Sequence, residues 1–338
     1  MAVAELRPLS TSEGPELRAT LAGTPTSADT PLVFIHGWPD NSHVWDNLLT
    51  AFSDRRCVLL DLPRCDGAAW DGADLSLDAL ATLAARTIKN EQWPVTIIAH
   101  DWGAYVASLL LVGHPELIEH IVLLDVGAQR PPCRLKVLLM APTLVAYLLT
   151  NAIIYLMGRS HWLRRVADAL NSCCIQVVHP CLLPPSWENE NYVGRPTAST
   201  INYMYFHLPR FLLSTSYQRM NAVLHASPAP LLFLFGTPFF HDERWASKLA
   251  SSTCPKCDAA FVRWGDCVQS SSPRSFEERK RRATHKLTRS PRTVPLAGHW
   301  FFHGPQGAEQ TAAAIHQWLR NVQSAAPTQE EESTEPNV

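Results

Sequence analysis

Residues 95–112 constrain this chain more tightly than any other stretch. The apolar run Val95-Thr96-Ile97-Ile98 leads directly into Ala99-His100-Asp101-Trp102-Gly103-Ala104, and residues 105–112 continue with the composition of a buried helix. A strand that turns sharply into a helix, with a small residue at the exit of the turn, lifts one side chain onto the rim of a sheet as a nucleophile. That residue is Asp101, a carboxylate where such turns usually hold serine. The chemistry it predicts is attack on a carbon atom to give an alkyl-enzyme ester.

The turn lies within an alternation of apolar and amphipathic runs. Residues 31–35 and 57–60 read as strands, the first ending at His36-Gly37-Trp38-Pro39-Asp40 and the second at Asp61-Leu62-Pro63. Between them Val44, Trp45, Leu48, Leu49 and Phe52 recur at helical spacing. Leu77, Leu80, Leu83 and Ala84 mark another helix over 76–87, and residues 121–124 a strand ending at Asp125. Strands alternating with helices at this pitch predict an α/β fold with a mostly parallel sheet flanked by helices. The chain has 338 residues, of which 46% are hydrophobic and 18% charged, so one large core with an insertion fits better than several small domains.

The alternation stops near residue 129. From there to 228 the apolar spacing is helical, and strand signal returns at 231–235 and 293–296. A helical block between two parts of one sheet reads as an inserted cap, giving core at 1–128, cap at 129–228 and core again at 229–322. The first thirty residues read as a loose lead-in or an edge hairpin, and 323–338 as a disordered acidic tail. Residues 258–291 are rich in Ser and Arg and include Glu277-Glu278-Arg279-Lys280-Arg281-Arg282. A connection at that place in such a sheet should be short, so the stretch reads as a disordered insertion whose basic run is solvated. Its functional alternative is a basic contact with lipid, nucleic acid or import machinery.

Residues 137–157 carry no charge and lie between Arg134 and Lys136 on one side and Arg159, Arg164 and Arg165 on the other. That length can cross a bilayer. Pro142 and Asn151 instead predict two shorter pieces, serving as a lid or as a peripheral membrane contact. A net charge of -2 gives no reason to expect nucleic acid as a partner. Nine scattered cysteines do not form a disulfide framework and suit a reducing compartment. Residues 1–8 lack the apolar stretch of a signal peptide. The expected location is therefore cytoplasmic, with membrane association as the variant.

Three motifs in order, His36-Gly37-Trp38-Pro39, His100-Asp101-Trp102-Gly103 and Gly298-His299-Trp300, resemble the α/β-hydrolase fold family, in its branch of epoxide hydrolases and haloalkane dehalogenases. The resemblance covers residues 30–257 and 291–322. It implies that Asp101 is the nucleophile and that the backbone N–H groups of Trp38 and Trp102 form an oxyanion hole. It implies that His299 activates the water that cleaves the ester, with no cofactor and no metal. His36, His100 and His114 then read as structural. The acid that orients His299 departs from the pattern, because Phe239 stands three residues after Gly236 where a carboxylate is usual. Asp242, the next carboxylate along, and Asp125, at the end of a strand on the active-site edge, are both candidates.

Cap tyrosines in epoxide hydrolases hydrogen-bond the ring oxygen as it opens, and a neutral phenol suits that task. Tyr203 and Tyr205 are the first candidates, with Tyr147, Tyr155, Tyr192 and Tyr217 behind them. Trp102 stands where fluoroacetate-type dehalogenases carry an arginine, which disfavours a carboxylate substrate. The expectation is hydrolysis of a small lipophilic epoxide, with haloalkane dehalogenation as the alternative. The displaced acid also leaves open a hydrolase-fold protein that binds a lipid or partner without turnover.

Overall fold

Every described residue of the predicted strands is buried, and this fixes the architecture. The computed structural model describes residues 17–23, 30–65, 70, 72–90, 94–126, 134–182, 197–234, 257–259, 262–263, 266–267, 302 and 304–325. Among these, strands β1 (Arg18–Ala22), β2 (Leu32–Ile35), β3 (Cys57–Asp61), β4 (Val95–His100), β5 (Ile118–Leu124), β6 (Leu231–Leu234) and β7 (Cys257–Ala259) form one sheet in the order β1-β3-β2-β4-β5-β6-β7. Strand β1 pairs antiparallel with β3 at the edge, and every other pairing in the sheet is parallel. The lead-in thus supplies an edge strand, but not a hairpin, because β1 pairs with β3 rather than with the next strand, β2.

Side chains alternate across the sheet, and each face has its own cover. Val33, Ile35, Ile97, Ala99, Ile121 and Leu123 pack with helices α2 (Leu77–Lys89) and α3 (Trp102–Gly113). Leu32, Phe34, Ile98, Val122 and Leu124 pack instead with α1 (Asp46–Leu49) and α8 (Pro305–Ala325). Helices on both faces explain why the strands are almost wholly apolar rather than alternating with polar residues. Helix α2 starts at Ser76, whose Oγ accepts from the Ala79 N–H, and it carries Arg86 and Lys89 in its last turn, where they complement the helix dipole. Helix α8 runs on to Ala325, past residue 323 where the sequence predicts the tail to begin.

Between β5 and β6 lie α4 (Arg134–Arg159), α5 (Arg164–Leu182), α6 (Tyr203–Leu212) and α7 (Thr215–His225). The predicted break at Pro142 and Asn151 does not occur, and α4 is one continuous helix of 26 residues. Asn151 is buried and its Nδ2 donates to the Tyr147 carbonyl one turn back, at 2.9 Å, so it stays within the helix. Pro142 costs about 3 kcal/mol in a helix interior. Burial of Ile154 and Tyr155 on the inward face outweighs this at about 1.5–3 kcal/mol per large side chain. No helix among the described residues is long and apolar enough to cross a membrane.

A second correction concerns 258–291. Residues 258 and 259 belong to β7, with Asp258 opposite Leu232 and Ala259 opposite Phe233, and residues 262–263 and 266–267 pair as a short antiparallel ladder. A three-residue strand is too short for its periodicity to stand out from a polar surround. The predicted strand at 293–296, Asp242, His299 and the basic run at 277–282 lie outside the described residues.

Candidate active site

The sheet order places one crevice above all others. β3 lies on one side of β2 and β4 on the other, so the chain reverses its direction of travel across the sheet between them. In open α/β sheets the space outside the carboxyl ends of the strands at such a reversal is where ligands bind. The residues that leave β2 and β4 there are Gly37-Trp38 and Asp101-Trp102.

Asp101 sits between β4 and α3 at φ 50° and ψ −119°, a conformation that side chains other than glycine rarely adopt. Such a position costs about 1–3 kcal/mol and persists where the surroundings hold it. The two neighbouring glycines show what holds it. A Cβ on Gly37 would come inside 3.0 Å of the Asp101 side chain, and a Cβ on Gly103 inside 3.0 Å of the Ile35 and His36 carbonyl oxygens. The loop after β2 therefore lies directly on the turn. In this arrangement the Trp38 backbone N–H donates to Asp101 Oδ2 at 2.9 Å. The Trp38–Pro39 peptide is cis.

His36 braces that loop from below. Its Nδ1 lies 2.8 Å from the Gly37 carbonyl, and its Nε2 accepts from the Leu62 N–H at 3.0 Å. These two contacts tie the loop after β2 to the residue that follows β3. His100 is buried, with its ring against Phe302 at a centroid distance of 4.7 Å, and His114 Nδ1 lies 3.2 Å from the Glu116 carboxylate.

Aromatic rings from the helical insertion roof the carboxylate. Tyr205 of α6 meets Trp38, Trp102 and Tyr147 edge to face, at centroid distances of 5.4, 5.2 and 5.5 Å. The Tyr147 and Tyr205 hydroxyls are 2.7 Å apart. Burial pushes the Tyr105, Tyr147 and Tyr205 phenols well above their ordinary range, and the nearby Asp101 charge pushes each further. The hydrogen bond within the pair opposes the rise at Tyr147 and adds to it at Tyr205, where the Trp102 indole opposes it. All three phenols are therefore neutral donors at physiological pH.

Behind the roof, the Trp38 indole N–H donates to Asn202 Oδ1 at 2.6 Å, and Asn202 Nδ2 donates to Asn171 Oδ1 at 2.8 Å. Asn171 Nδ2 in turn donates to the Thr197 carbonyl at 2.9 Å. This chain ties α5 and α6 to the loop after β2. Among the described residues, no group of three or more His, Cys, Asp or Glu side chains is placed to hold a metal ion.

The structure thus brings Asp101, Trp38, Trp102 and Tyr205 together. Tyr203 is fully buried and does not share that face, because residues two apart on a helix point about 200° from one another. The partner of Tyr205 is Tyr147, from the uncharged segment. Asp125 follows β5, the strand next to β4, at φ 63°, and its backbone N–H donates to the Leu234 carbonyl at 2.8 Å. Asn171 and Asn202 had no signal in the sequence, since neither sits in a motif.

The sequence pattern of the alpha/beta hydrolase family matches residues 32–314. The chain belongs to that family. Among curated relatives, a serine hydrolase-like protein of Danio rerio is 32% identical over 114 residues, covering 32% of this chain and 34% of the relative. A soluble epoxide hydrolase of a Corynebacterium strain is 28% identical over 97 residues, 28% of this chain and 34% of that one. The matches thus span about a third of the length of these relatives. Among solved structures, a haloalkane dehalogenase loop variant from Bradyrhizobium elkanii superposes with a TM-score of 0.61 at 14% identity, over 91% of this chain and 94% of that one. At that identity the likeness is one of fold. This alpha/beta hydrolase therefore shares its fold with enzymes of more than one chemistry, and its side chains must separate them.

Proposed function

We propose that this alpha/beta hydrolase opens a lipophilic epoxide through an ester on Asp101. The observation that carries this reading is the pair of neutral hydroxyls, Tyr147 and Tyr205, beside a carboxylate whose Oδ2 is already held by the Trp38 N–H. With Oδ2 engaged, Oδ1 is the oxygen that attacks the ring carbon. The carbon–oxygen bond of the ring breaks as the Tyr147–Tyr205 pair donates a proton to the departing oxygen. The product is an alkyl ester whose carbonyl oxygen rests on the Trp38 N–H. His299 then takes a proton from water, and the hydroxide attacks the ester carbon. The N–H groups of Trp38 and Trp102 stabilise the resulting oxyanion. On collapse the released alkoxide takes the proton of the newly added hydroxyl, so that a vicinal diol leaves and Asp101 is again a carboxylate, and the proton held by His299 returns to the phenol pair. Asp125 or Asp242 orients His299 in this scheme.

Dehalogenation is less well supported. A departing halide needs N–H donors, and here the Trp38 indole is committed to Asn202 while the Trp102 indole interacts with Tyr205. The helical insertion serves as the cap in either chemistry.

Intact-mass measurement under single turnover tests the proposal. His299→Gln incubated with a lipophilic epoxide should gain the mass of one substrate, and Asp101→Asn should gain none. Tyr205→Phe should slow ester formation about 100-fold or more, the usual scale of general-acid assistance. Absence of an adduct across a panel of epoxides and haloalkanes would discard the enzyme reading in favour of binding without turnover. An adduct with haloalkanes alone would replace epoxide opening by dehalogenation.

A further inference from the structure

Helix α4 has two apolar faces, and only one is used by the fold. Tyr147, Asn151, Ile154 and Tyr155 turn inward, toward the site and the core. Val145, Leu149, Ile153 and Leu156, at spacings of four, four and three, form a stripe on the opposite side and are about half exposed. Val166 and Leu170 of α5 are exposed to a similar degree, and Trp162, in the turn between the two helices, is 87% exposed. Single exposed apolar residues are ordinary, but a continuous stripe across two helices marks a contact surface.

The charges around the stripe indicate what it contacts. Arg159, Arg164 and Arg165 are exposed at the end of the stripe where Trp162 sits. From residue 126 to residue 167 the sequence contains no Asp or Glu. The next carboxylate, Asp168, is turned inward, accepting from the Ser199 N–H at 2.8 Å and from its hydroxyl at 2.6 Å. A second copy of the chain seated on this face would bury arginines with no carboxylate of the face to meet them, which is costly. Anionic lipid headgroups would meet them, while acyl chains took up the stripe and the indole lay at the boundary between the two. The absence of a membrane-crossing helix among the described residues agrees with a helix lying on a bilayer rather than through it.

We propose that the outer face of α4 and α5, with Trp162 between them, docks on an anionic lipid bilayer. The helix that carries Tyr147 over the site then rests in the headgroup layer, and a ligand dissolved in the acyl chains meets α4 before it meets water. The docking itself does not depend on the reaction assigned to Asp101.

Flotation of the full chain with vesicles decides the matter. The chain should float with phosphatidylcholine vesicles containing about a third phosphatidylserine, and far less with phosphatidylcholine alone. The double variant Arg164→Gln/Arg165→Gln should lower partitioning about thirtyfold, at about fivefold for each cation. Ile153→Glu and Trp162→Ser should each abolish flotation while leaving the far-UV circular dichroism and the elution volume in gel filtration unchanged. Failure of the unaltered chain to float would overturn the proposal, as would equal flotation of Ile153→Glu. Equal partitioning to neutral and anionic vesicles would overturn the assignment to anionic lipid. A dimer that Ile153→Glu dissociates, without flotation of either protein, would assign the face to a second copy instead.

Discussion

Asp101 holds its strained backbone because the residues around it leave room for nothing else. Gly37 and Gly103 permit the loop after β2 and the start of α3 to close on the carboxylate, and the Trp38 N–H reaches Oδ2 only from that distance. Gly37→Ala should therefore be more damaging than an ordinary loop substitution. Its Cβ meets the Asp101 side chain, so either the carboxylate or the Trp38 N–H must move. A displacement of about 1 Å at a reacting group costs about 100-fold in rate. Single-turnover ester formation by Gly37→Ala should fall by that order, with folding intact in circular dichroism. An unchanged rate would mean that the contact between the loop and the carboxylate is not what positions the Asp101 side chain. Asp101 and Gly103 were legible as one motif because the turn is built from neighbouring residues, and Gly37 lay in a second contiguous motif, but the contact between the two was not. The hydroxyl partner was not, since Tyr147 lies 58 positions from Tyr205 and inside a segment whose chief sequence signal is the lack of charge.

Among elements, the helical insertion and the loop after β2 are joined by a buried run of amides, and that joint positions the roof. Asn202 immediately precedes α6, which carries Tyr205, and the Trp38 indole N–H is the donor it receives. Asn202→Leu removes the acceptor while keeping an apolar side chain of similar size, leaving the indole N–H and Asn171 Oδ1 without this partner. Each buried polar group left unpaired costs about 1–3 kcal/mol. Urea denaturation should report a loss of at least that size, and ester formation should slow because Tyr205 loses its register over Asp101. A denaturation midpoint equal to that of the unaltered chain would show the joint to be dispensable. Helix α4 illustrates the limit of reading elements from sequence. Pro142 and Asn151 are breakers by local preference, yet the buried face around Ile154 and Tyr155 outweighs them, and Asn151 finds a partner in its own helix.

At the scale of the whole molecule, folding encloses three phenols near one carboxylate, and this makes stability depend on alkaline pH. Tyr105, Tyr147 and Tyr205 keep their protons in the folded chain above the ordinary phenol value of 10.0, whereas the unfolded chain releases them there. The unfolded state then binds fewer protons than the folded one, so stability falls as pH rises. The contribution is complete below about pH 10 and declines above it by about 1.4 kcal/mol per pH unit for each phenol. Urea midpoints measured between about pH 9 and pH 11 should drop steeply, and more gently in Tyr147→Phe/Tyr205→Phe. Equal slopes in the two proteins would assign the alkaline loss to other groups. Residue patterning alone carries the alternation of strands and helices, a mostly parallel sheet, the interruption after β5 and the turn that holds Asp101. These are written in short-range periodicity and contiguous motifs, where backbone geometry leaves few alternatives. Three-dimensional packing sets which tyrosines face the carboxylate, keeps α4 unbroken and places a strand at Cys257–Ala259. Those outcomes depend on packing between residues far apart in the chain, where burial energy exceeds local preference.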